Sequence, residues 1–445
     1  RYGIPMAYDG VNLVSQYQGK DHDAKFVSNL IPWLSFYVAA TSFTLLGEST
    51  FAARAPFAAL GILNLVLLWH LAGRWSSRRA TPALALWLGL LSLTHLLFAR
   101  QARYYMLSEF FALVLYLGYD RLLQKEKDAG PLLAAGVVGL FYSSWFVLLV
   151  IAAPVALHFG LFVRELKRLK ALWPWLLGAA LLLAPGVWFF DPVGRAVGEA
   201  EILGPPRLEH WKSLLLDLDL HVLPFGLIPF GAWLMRRTLG RLTVPLALFG
   251  LQVLVLAAMP RYFSRYSLYF VPLAAFLTAE LVVRVGEKRK GGAVVLVGGL
   301  LFTRLFSGSA WNGGMGLIKT DLGKFLWEIT HEFPEPIKEA SAILNRRASP
   351  GDLLLISYPD LPFMFYTPLK VVGGLQGARR ISADEVRWIL LRDEREKKNW
   401  PLDYSKFEAI PLQGPDWPWG NRADLSEHAF APSRTGSQPV LYKRK

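Results

Sequence analysis

The sequence predicts a polytopic α-helical membrane domain followed by a small water-soluble α/β or α+β domain. Three observations carry this reading. The 445 residues are 53% hydrophobic and only 18% charged, against about 25% charged in a soluble domain. The apolar residues gather in long runs, and a helix needs ~20 of them to cross a hydrocarbon core of about 30 Å. From residue 308 onward those runs stop, and short apolar stretches alternate with charged ones. The mean hydropathy of +0.32 therefore averages two unlike parts.

The apolar runs fall at 30–46, 52–73, 82–99, 104–119, 131–143, 145–163, 172–190, 221–235, 243–259, 266–283 and 293–307. The stretch 131–163 is too long for one helix, and Tyr142-Ser143-Ser144-Trp145 is its expected turning point. Ten crossings are expected if 30–46 lies along the outer interface. The abrupt start at Arg1 predicts residues missing upstream, with one further span.

Lysine and arginine set the orientation, because cytoplasmic loops hold them in excess. Five loops are rich: Arg74, Arg78 and Arg79; Arg121, Lys125 and Lys127; Arg164, Lys167, Arg168 and Lys170; Arg236, Arg237 and Arg241; Arg284, Lys288, Arg289 and Lys290. The connections between them are poorer, with Arg100 and Arg103, then none, then Arg195, Arg207 and Lys212, then Arg261 and Arg265. The rich loops are read as cytoplasmic. This arrangement also accounts for the net charge of +14 without nucleic acid, since the charges sit between apolar runs and form no groove-like face. The chain has no cysteine, which excludes disulfides, thiolate metal sites and cysteine nucleophiles.

The division expected is 1–307 for the membrane domain, with its first exoplasmic loop at 1–51 and its spans over 52–307, and 308–445 for an exoplasmic soluble domain. In the latter, Glu335 to Arg347 reads as a helix ending before a Ser349-Pro350-Gly351-Asp352 turn. Leu353–Ser357, Leu369–Val372 and Val440–Tyr442 read as strands, and the charged 383–397 as a helix. Gly373-Gly374 reads as a turn. Trp417-Pro418-Trp419 reads as loop packing.

An outward-facing site would draw on the outer ends of the spans. Tyr8-Asp9-Gly10 offers a carboxylate, a candidate general base for a hydroxyl acceptor. Nearby, Asp21-His22-Asp23 reads as a solvated loop, since adjacent residues do not easily point at one ion. Arg100 and Arg103 lie on an exoplasmic turn, against the topogenic bias. A planar guanidinium suits phosphate oxygens. Tyr104 and Tyr105 follow them. Glu109 stands one turn into the span, where an ionisable group marks function or pairs with Arg103 or Arg100. Arg261 and Arg265 recur on the outer side within Arg261-Tyr262-Phe263-Ser264-Arg265-Tyr266. Together these arginines could neutralise a phosphate leaving group. His70, His95 and His158 read as core or interface residues.

At these positions the chain resembles the GT-C glycosyltransferases, in the branch of bacterial protein O-mannosyltransferase-like and lipid A aminoarabinose transferase-like enzymes. Tyr8-Asp9 resembles the branch's first-loop acidic motif. Ile31 to Gly47 resembles its Pro-Pro-Leu-Tyr-Tyr segment, and Phe51 to Pro56 its Ala-Ala-Arg-Leu-Pro. Ala99 to Met106 resembles the Arg-Glu-Ala-Arg-Met-Tyr turn. Tyr142 to Trp145 stands where many members have Thr-His-Tyr. Pro260-Arg261-Tyr262 or Arg265-Tyr266, with Pro272, resembles the Pro-Arg-Tyr…Pro late span. The resemblance implies inverting transfer of a sugar from a polyprenyl-phosphate donor to an acceptor hydroxyl at the exoplasmic face of a bacterial inner membrane. It implies Asp9 as base and places 30–46 along the outer surface. Arg100, Arg103, Arg261 and Arg265 would share the donor phosphate. Tyr8, Tyr104, Tyr105, Glu109, Tyr142, Trp145 and Tyr266 would line the pocket. Gly10 stands in place of the family's second acid, and Tyr105 where the aminoarabinose enzymes have Asp. These departures place the chain nearer the mannosyltransferase-like side. No metal ligand is assigned, and a divalent metal stays open as a cofactor. The acceptor stays open among glycan, lipid and protein. The alternatives are a ligase for whole lipid-linked oligosaccharides and a lipid flippase or transporter. The latter should carry ionisable or helix-breaking residues at mid-membrane.

Overall fold

The computed structural model describes residues 3–15, 21–165, 167–196, 208–218, 227–234, 240–259, 263–288, 291, 292, 294, 320–357, 360–374, 382–415, 423, 428, 430 and 436–445. The expected last span at 293–307 apart from residue 294, residues 221–226 and 235 of the run 221–235, Arg261 and the Trp417–Trp419 cluster lie outside these residues. The chain forms two compact units, one of residues 32–323 with 423–426, the other of residues 1–31 with 324–422 and 427–445.

The first unit is helical. Helix α1 (Leu34–Leu46) has 13 residues, about 20 Å at 1.5 Å each. That is shorter than the hydrocarbon core of about 30 Å. Helix α2 (Thr50–Trp75) has 26 residues, with the Ser49 side chain accepting from Ala52 N at its start. The run 82–99 is not one straight span. It is α3 (Ala80–Leu90) and α4 (Leu93–Ala99), bent by 60°. Ser92, in extended conformation, ends one helix and caps the next. Helix α5 (Tyr105–Leu123) is followed by α6 (Ala129–Ser143) and α7 (Trp145–His158). The break between α6 and α7 is Ser144, with φ −165° and ψ 107°, inside the predicted turn. Helices α8 (Lys167–Phe190), α9 (Leu208–Asp217), α10 (Leu227–Leu234), α11 (Thr243–Ala257) and α12 (Val271–Lys288) complete the unit. A 3₁₀ turn, Ser264–Phe270, leads into α12. Among the described residues, four helices are long and apolar enough to cross a membrane, or five with the bent pair, and three more are apolar but shorter. The chain is a multi-pass membrane protein.

Helix α5 packs against α6 through glycines. A Cβ on Gly136 would stand 2.9 Å from the backbone N and Cα of Leu115, and one on Gly118 2.8 Å from Leu133 N. Small residues let transmembrane backbones approach closely where lipid supplies no hydrophobic drive between helices. At the other ends of these helices, the predicted cytoplasmic arginines are paired. Arg74 meets Asp120 (2.6 Å) and Glu126 (2.5 Å). The fully buried Glu280 accepts from Ser76 and Thr81 hydroxyls, from Arg78 and from Arg284.

The second unit is a five-stranded mixed sheet in the order β2-β1-β3-β5-β4, with β1 Leu353–Ile356, β2 Lys370–Gly373, β3 Val386–Leu391, β4 Phe407–Pro411 and β5 Val440–Arg444. Strand β1 runs parallel to β2 and β3, while β5 is antiparallel to β3 and β4. One face (Leu354, Ile356, Val371, Trp388, Leu390) packs with Ala340, Ile343 and Leu344 of helix Pro336–Arg347. The other (Leu353, Leu355, Val372, Ile389, Leu391) packs with Phe407 and Tyr442. The expected helix at 383–397 is corrected here, because 386–391 is the central strand. Its Val-Arg-Trp-Ile-Leu-Leu is buried at all but Arg387, and a strand covered on both faces loses the two-residue alternation that identifies strands. The charged segment after it is a 3₁₀ turn, Glu394–Asn399. Gly373 is obligatory, with φ 107° and a hypothetical Cβ 2.0 Å from Ile356 O.

Residues of the first loop belong to this unit. Isolated bridges join Met6 to Val27, Tyr8 to Leu13 and His22 to Ser28. The Asn12 side chain donates to Leu369 O (3.0 Å) and accepts from Val371 N (2.8 Å).

Candidate active site

In the sheet unit, the Tyr8–Leu13 bridge closes a tight turn. Asp9 Oδ1 accepts from Val11 N (2.7 Å) and Asn12 N (2.6 Å), while Asp9 N donates to Asn12 O (3.1 Å). The aspartate is thus held by one oxygen, and the residue is exposed. Gly10 takes φ 106° with open space about it. The Tyr8 hydroxyl donates to Gly10 O (2.7 Å), so it serves the turn. Asp21 accepts from the Ser15 hydroxyl, and Asp23 from Lys25 N and Val27 N. Those carboxylates shape their loop. No group of three or more His, Asp or Glu side chains able to hold a metal occurs among the described residues.

In the helical unit, the 264–270 turn packs on α4, α5 and α12. This brings Arg265 and Tyr266 to the Arg100–Tyr105 turn, and it explains why two segments far apart in sequence carry the same residue types. Arg265 and Arg103 both lie within electrostatic reach of the Tyr104 hydroxyl. Arg265 stands 4.1 Å from the Phe263 ring centroid and 5.6 Å from that of Tyr266. Phe146 stacks on Tyr266 at 4.5 Å, and Tyr104 packs on Tyr105, which meets Phe98.

The arginines differ from those of the opposite end. Arg265 is half-buried, its Nε has no hydrogen-bond partner, and no described carboxylate pairs with it. Arg103 is exposed, again with no described carboxylate partner, and Arg100 is half-buried. Arg265 is a partly buried cation with no described counter-ion, set among tyrosines and hydrogen-bonded to Tyr266, and a guanidinium so placed has the chemistry that suits an anion. Of the expected pocket residues, Tyr105 and Tyr266 are buried in this cluster and Tyr104 is half-buried. Tyr142 donates to Leu182 O (2.7 Å), tying α6 to α8, and Trp145 is half-buried at the start of α7.

Glu109 sits elsewhere than the sequence suggested. It pairs with neither Arg100 nor Arg103 in the described contacts. It is buried, 2.9 Å from Asn64 Nδ2 and 3.2 Å from His95 Nδ1. His95 Nε2 faces Gly61 O at 3.2 Å. A carbonyl only accepts, so Nε2 carries a proton, and one more lies between Nδ1 and the carboxylate. His95 is therefore a bonded partner inside the helix bundle. Asn64 was missed by sequence reasoning, although a buried amide in an apolar 26-residue helix is itself a signal.

No family profile matches the sequence, and no curated protein matches it. By structure, the chain is similar to ArnT from Cupriavidus metallidurans in the apo state, at 11% identity and TM-score 0.62, covering 94% of this chain and 88% of that one. It is similar as well to ArnT from the same organism bound to undecaprenyl phosphate, at 12% identity and TM-score 0.57, covering 93% and 87%. The chain thus has an ArnT-like fold, with a helical membrane unit and a small sheet domain.

Proposed function

We propose that the protein is a membrane glycosyltransferase that moves one sugar from a polyprenyl-phosphate carrier to an acceptor hydroxyl. The observation that carries this reading is Arg265, a half-buried guanidinium hydrogen-bonded to Tyr266, with an unpartnered Nε and no carboxylate partner among the described residues, set among Phe263, Tyr104, Tyr105 and Tyr266. The likeness to an ArnT structure bound to undecaprenyl phosphate supports the lipid class.

In this reading Arg265, with Arg103, Arg100 and Arg261, holds the donor phosphate. The acceptor oxygen attacks the anomeric carbon from the face opposite the phosphate. The bond from that carbon to the phosphate oxygen breaks, inverting the centre, and polyprenyl phosphate leaves with the electron pair. The guanidinium charge stabilises the developing phosphate anion more than the bound ester, which lowers the barrier. Asp9 takes the acceptor proton through its free oxygen as the new bond forms. Tyr104, Tyr105, Tyr142, Trp145 and Tyr266 shape the donor pocket, and Glu109 holds α5 to α2 and α4 beside it. The reaction faces the exoplasm of a bacterial inner membrane, on the side of the lysine- and arginine-poor loops.

Mass spectrometry of lipids that co-purify with the full chain tests the donor class, followed by release of undecaprenyl phosphate from mannosyl-, glucosyl- and aminoarabinosyl-phosphoundecaprenol. A monoglycosyl carrier that turns over is the expected result. A diphosphate carrier with a long glycan would make the protein a ligase. Bulk phospholipid alone, with no turnover, would leave transport.

A further inference from the structure

The first loop and the sheet meet through one side chain. Asn12 is 4% exposed. Its amide spans the outer edge of β2, donating to Leu369 O at 3.0 Å and accepting from Val371 N at 2.8 Å. Amides along a strand alternate in direction. Lys370 N turns inward to Asp352 O (3.0 Å) on the β1 side, while Val371 N turns outward to Asn12 Oδ1. Asn12 thus clasps the β2 edge through its side chain. Its backbone is joined to Asp9 twice, by Asn12 N to Asp9 Oδ1 (2.6 Å) and Asp9 N to Asn12 O (3.1 Å).

We propose that Asn12 is a positioning residue for Asp9, and that the C-terminal domain serves the reaction by fixing the first-loop carboxylate through the β2 edge. The inference rests on Asp9 being the base. The exposed turn of Tyr8-Asp9-Gly10, with a glycine at positive φ and no Cβ contact, holds the carboxylate through its own amides and needs an outside anchor to hold the turn itself in one direction. The buried amide supplies that constraint from a rigid element, as a site group needs. The domain is then a scaffold, 357 residues distant in sequence, for one oxygen atom.

The test uses the full chain in nanodiscs and three variants, Asn12→Ala, Asn12→Asp and Asp9→Asn. Hydrogen exchange resolved to Val371 reads the clamp, and turnover of monoglycosyl phosphoundecaprenol reads its consequence. In Asn12→Ala, Val371 should exchange about five- to tenfold faster, the share of one hydrogen bond. Turnover number should fall by about tenfold to a hundredfold, the scale of a misplaced catalytic group, with the donor KM unchanged because the phosphate contacts lie elsewhere. A smaller folded fraction would also lower apparent turnover at unchanged KM, so turnover is normalised to the folded fraction read in the same exchange experiment. Asn12→Asp adds a signature that misfolding cannot imitate. Its neutral carboxyl can both donate to Leu369 O and accept from Val371 N, while its anion can only accept and is pushed off the edge by repulsion from the Leu369 carbonyl oxygen. Val371 protection should therefore recover as pH falls, and in Asn12→Ala it should not. Unchanged Val371 exchange in Asn12→Ala would overturn the clamp. Faster exchange with unchanged turnover, while Asp9→Asn is inactive, would overturn the positioning. Full activity of Asp9→Asn would remove the base itself, and the role of Asn12 with it.

Discussion

Arg265 and Arg284 are both arginines of the helical unit, and truncation should affect them in opposite ways. Arg284 donates through Nε to Glu280 at 2.6 Å, and Glu280 is fully buried with Ser76, Thr81 and Arg78 also on it. Arg284→Ala strands part of that buried charge, and breaking such a pair costs about 3–5 kcal/mol. Arg78 remains on Glu280, which places the expected loss near the lower bound. Arg265 has no described carboxylate to strand, and its Nε is already without a partner. Arg265→Ala should therefore leave thermal stability nearly unchanged and weaken undecaprenyl phosphate binding instead. A charge-assisted hydrogen bond contributes about 1.5–3 kcal/mol, or roughly a 10- to 150-fold rise in Kd. Arg265→Lys keeps the charge but loses the planar fork and its contact on Phe263, so an intermediate Kd is expected. The assay is titration of purified protein with undecaprenyl phosphate, with a thermal unfolding curve for each variant. Unchanged lipid affinity in Arg265→Ala, or a loss of stability matching that of Arg284→Ala, would refute the anion-site reasoning.

Three further outcomes follow from the packing. Glu109→Leu leaves His95 Nδ1 without its carboxylate and Asn64 with only its Met106 contacts. It should cost about 1–3 kcal/mol, and a double-mutant cycle with Asn64→Ala should give about 1 kcal/mol of coupling by detergent unfolding. A coupling of zero would mean the pair is not made. Gly136→Ala and Gly118→Ala press a methyl onto the Leu115 and Leu133 backbones and should each lower stability by about 1–3 kcal/mol. Gly250→Ala, which meets nothing within 4 Å, should be neutral or better in the same melt. In the sheet unit, the Arg395 side chain and backbone hold the Asp393 carboxyl down, to about 2 from its ordinary 3.8. Because the folded value is the lower one, its small stabilisation is complete above about pH 4 and fades as pH falls toward 2. The melting gap between wild type and Asp393→Asn should follow that course, and a gap independent of pH would exclude the ion pair as its source.

The sequence by itself determined what depends on local period and composition. Long apolar runs specify helices of membrane length, and the Tyr142–Trp145 break is legible because 33 apolar residues exceed one crossing. The glycine-aspartate turn before β1 and the short apolar stretches after it announced the sheet domain. The paired arginine-tyrosine segments at 100–105 and 261–266 are legible as candidates for phosphate chemistry, and the fold brings Arg265 and Tyr266 of the second to the turn of the first. Tertiary structure decided the partners. Glu109 bonds Asn64, 45 residues away, because α2, α4 and α5 pack together, and no window of sequence holds all three. The segment 386–391 is a strand because both its faces are covered, which removes the pattern that would have distinguished it from a helix. Asn12 reaches Leu369 and Val371 because the outer edge of β2 turns backbone groups toward it, and only the folded domain presents that edge to the first loop. Residue types fix which chemistry is available, and the packing of distant segments fixes which groups meet.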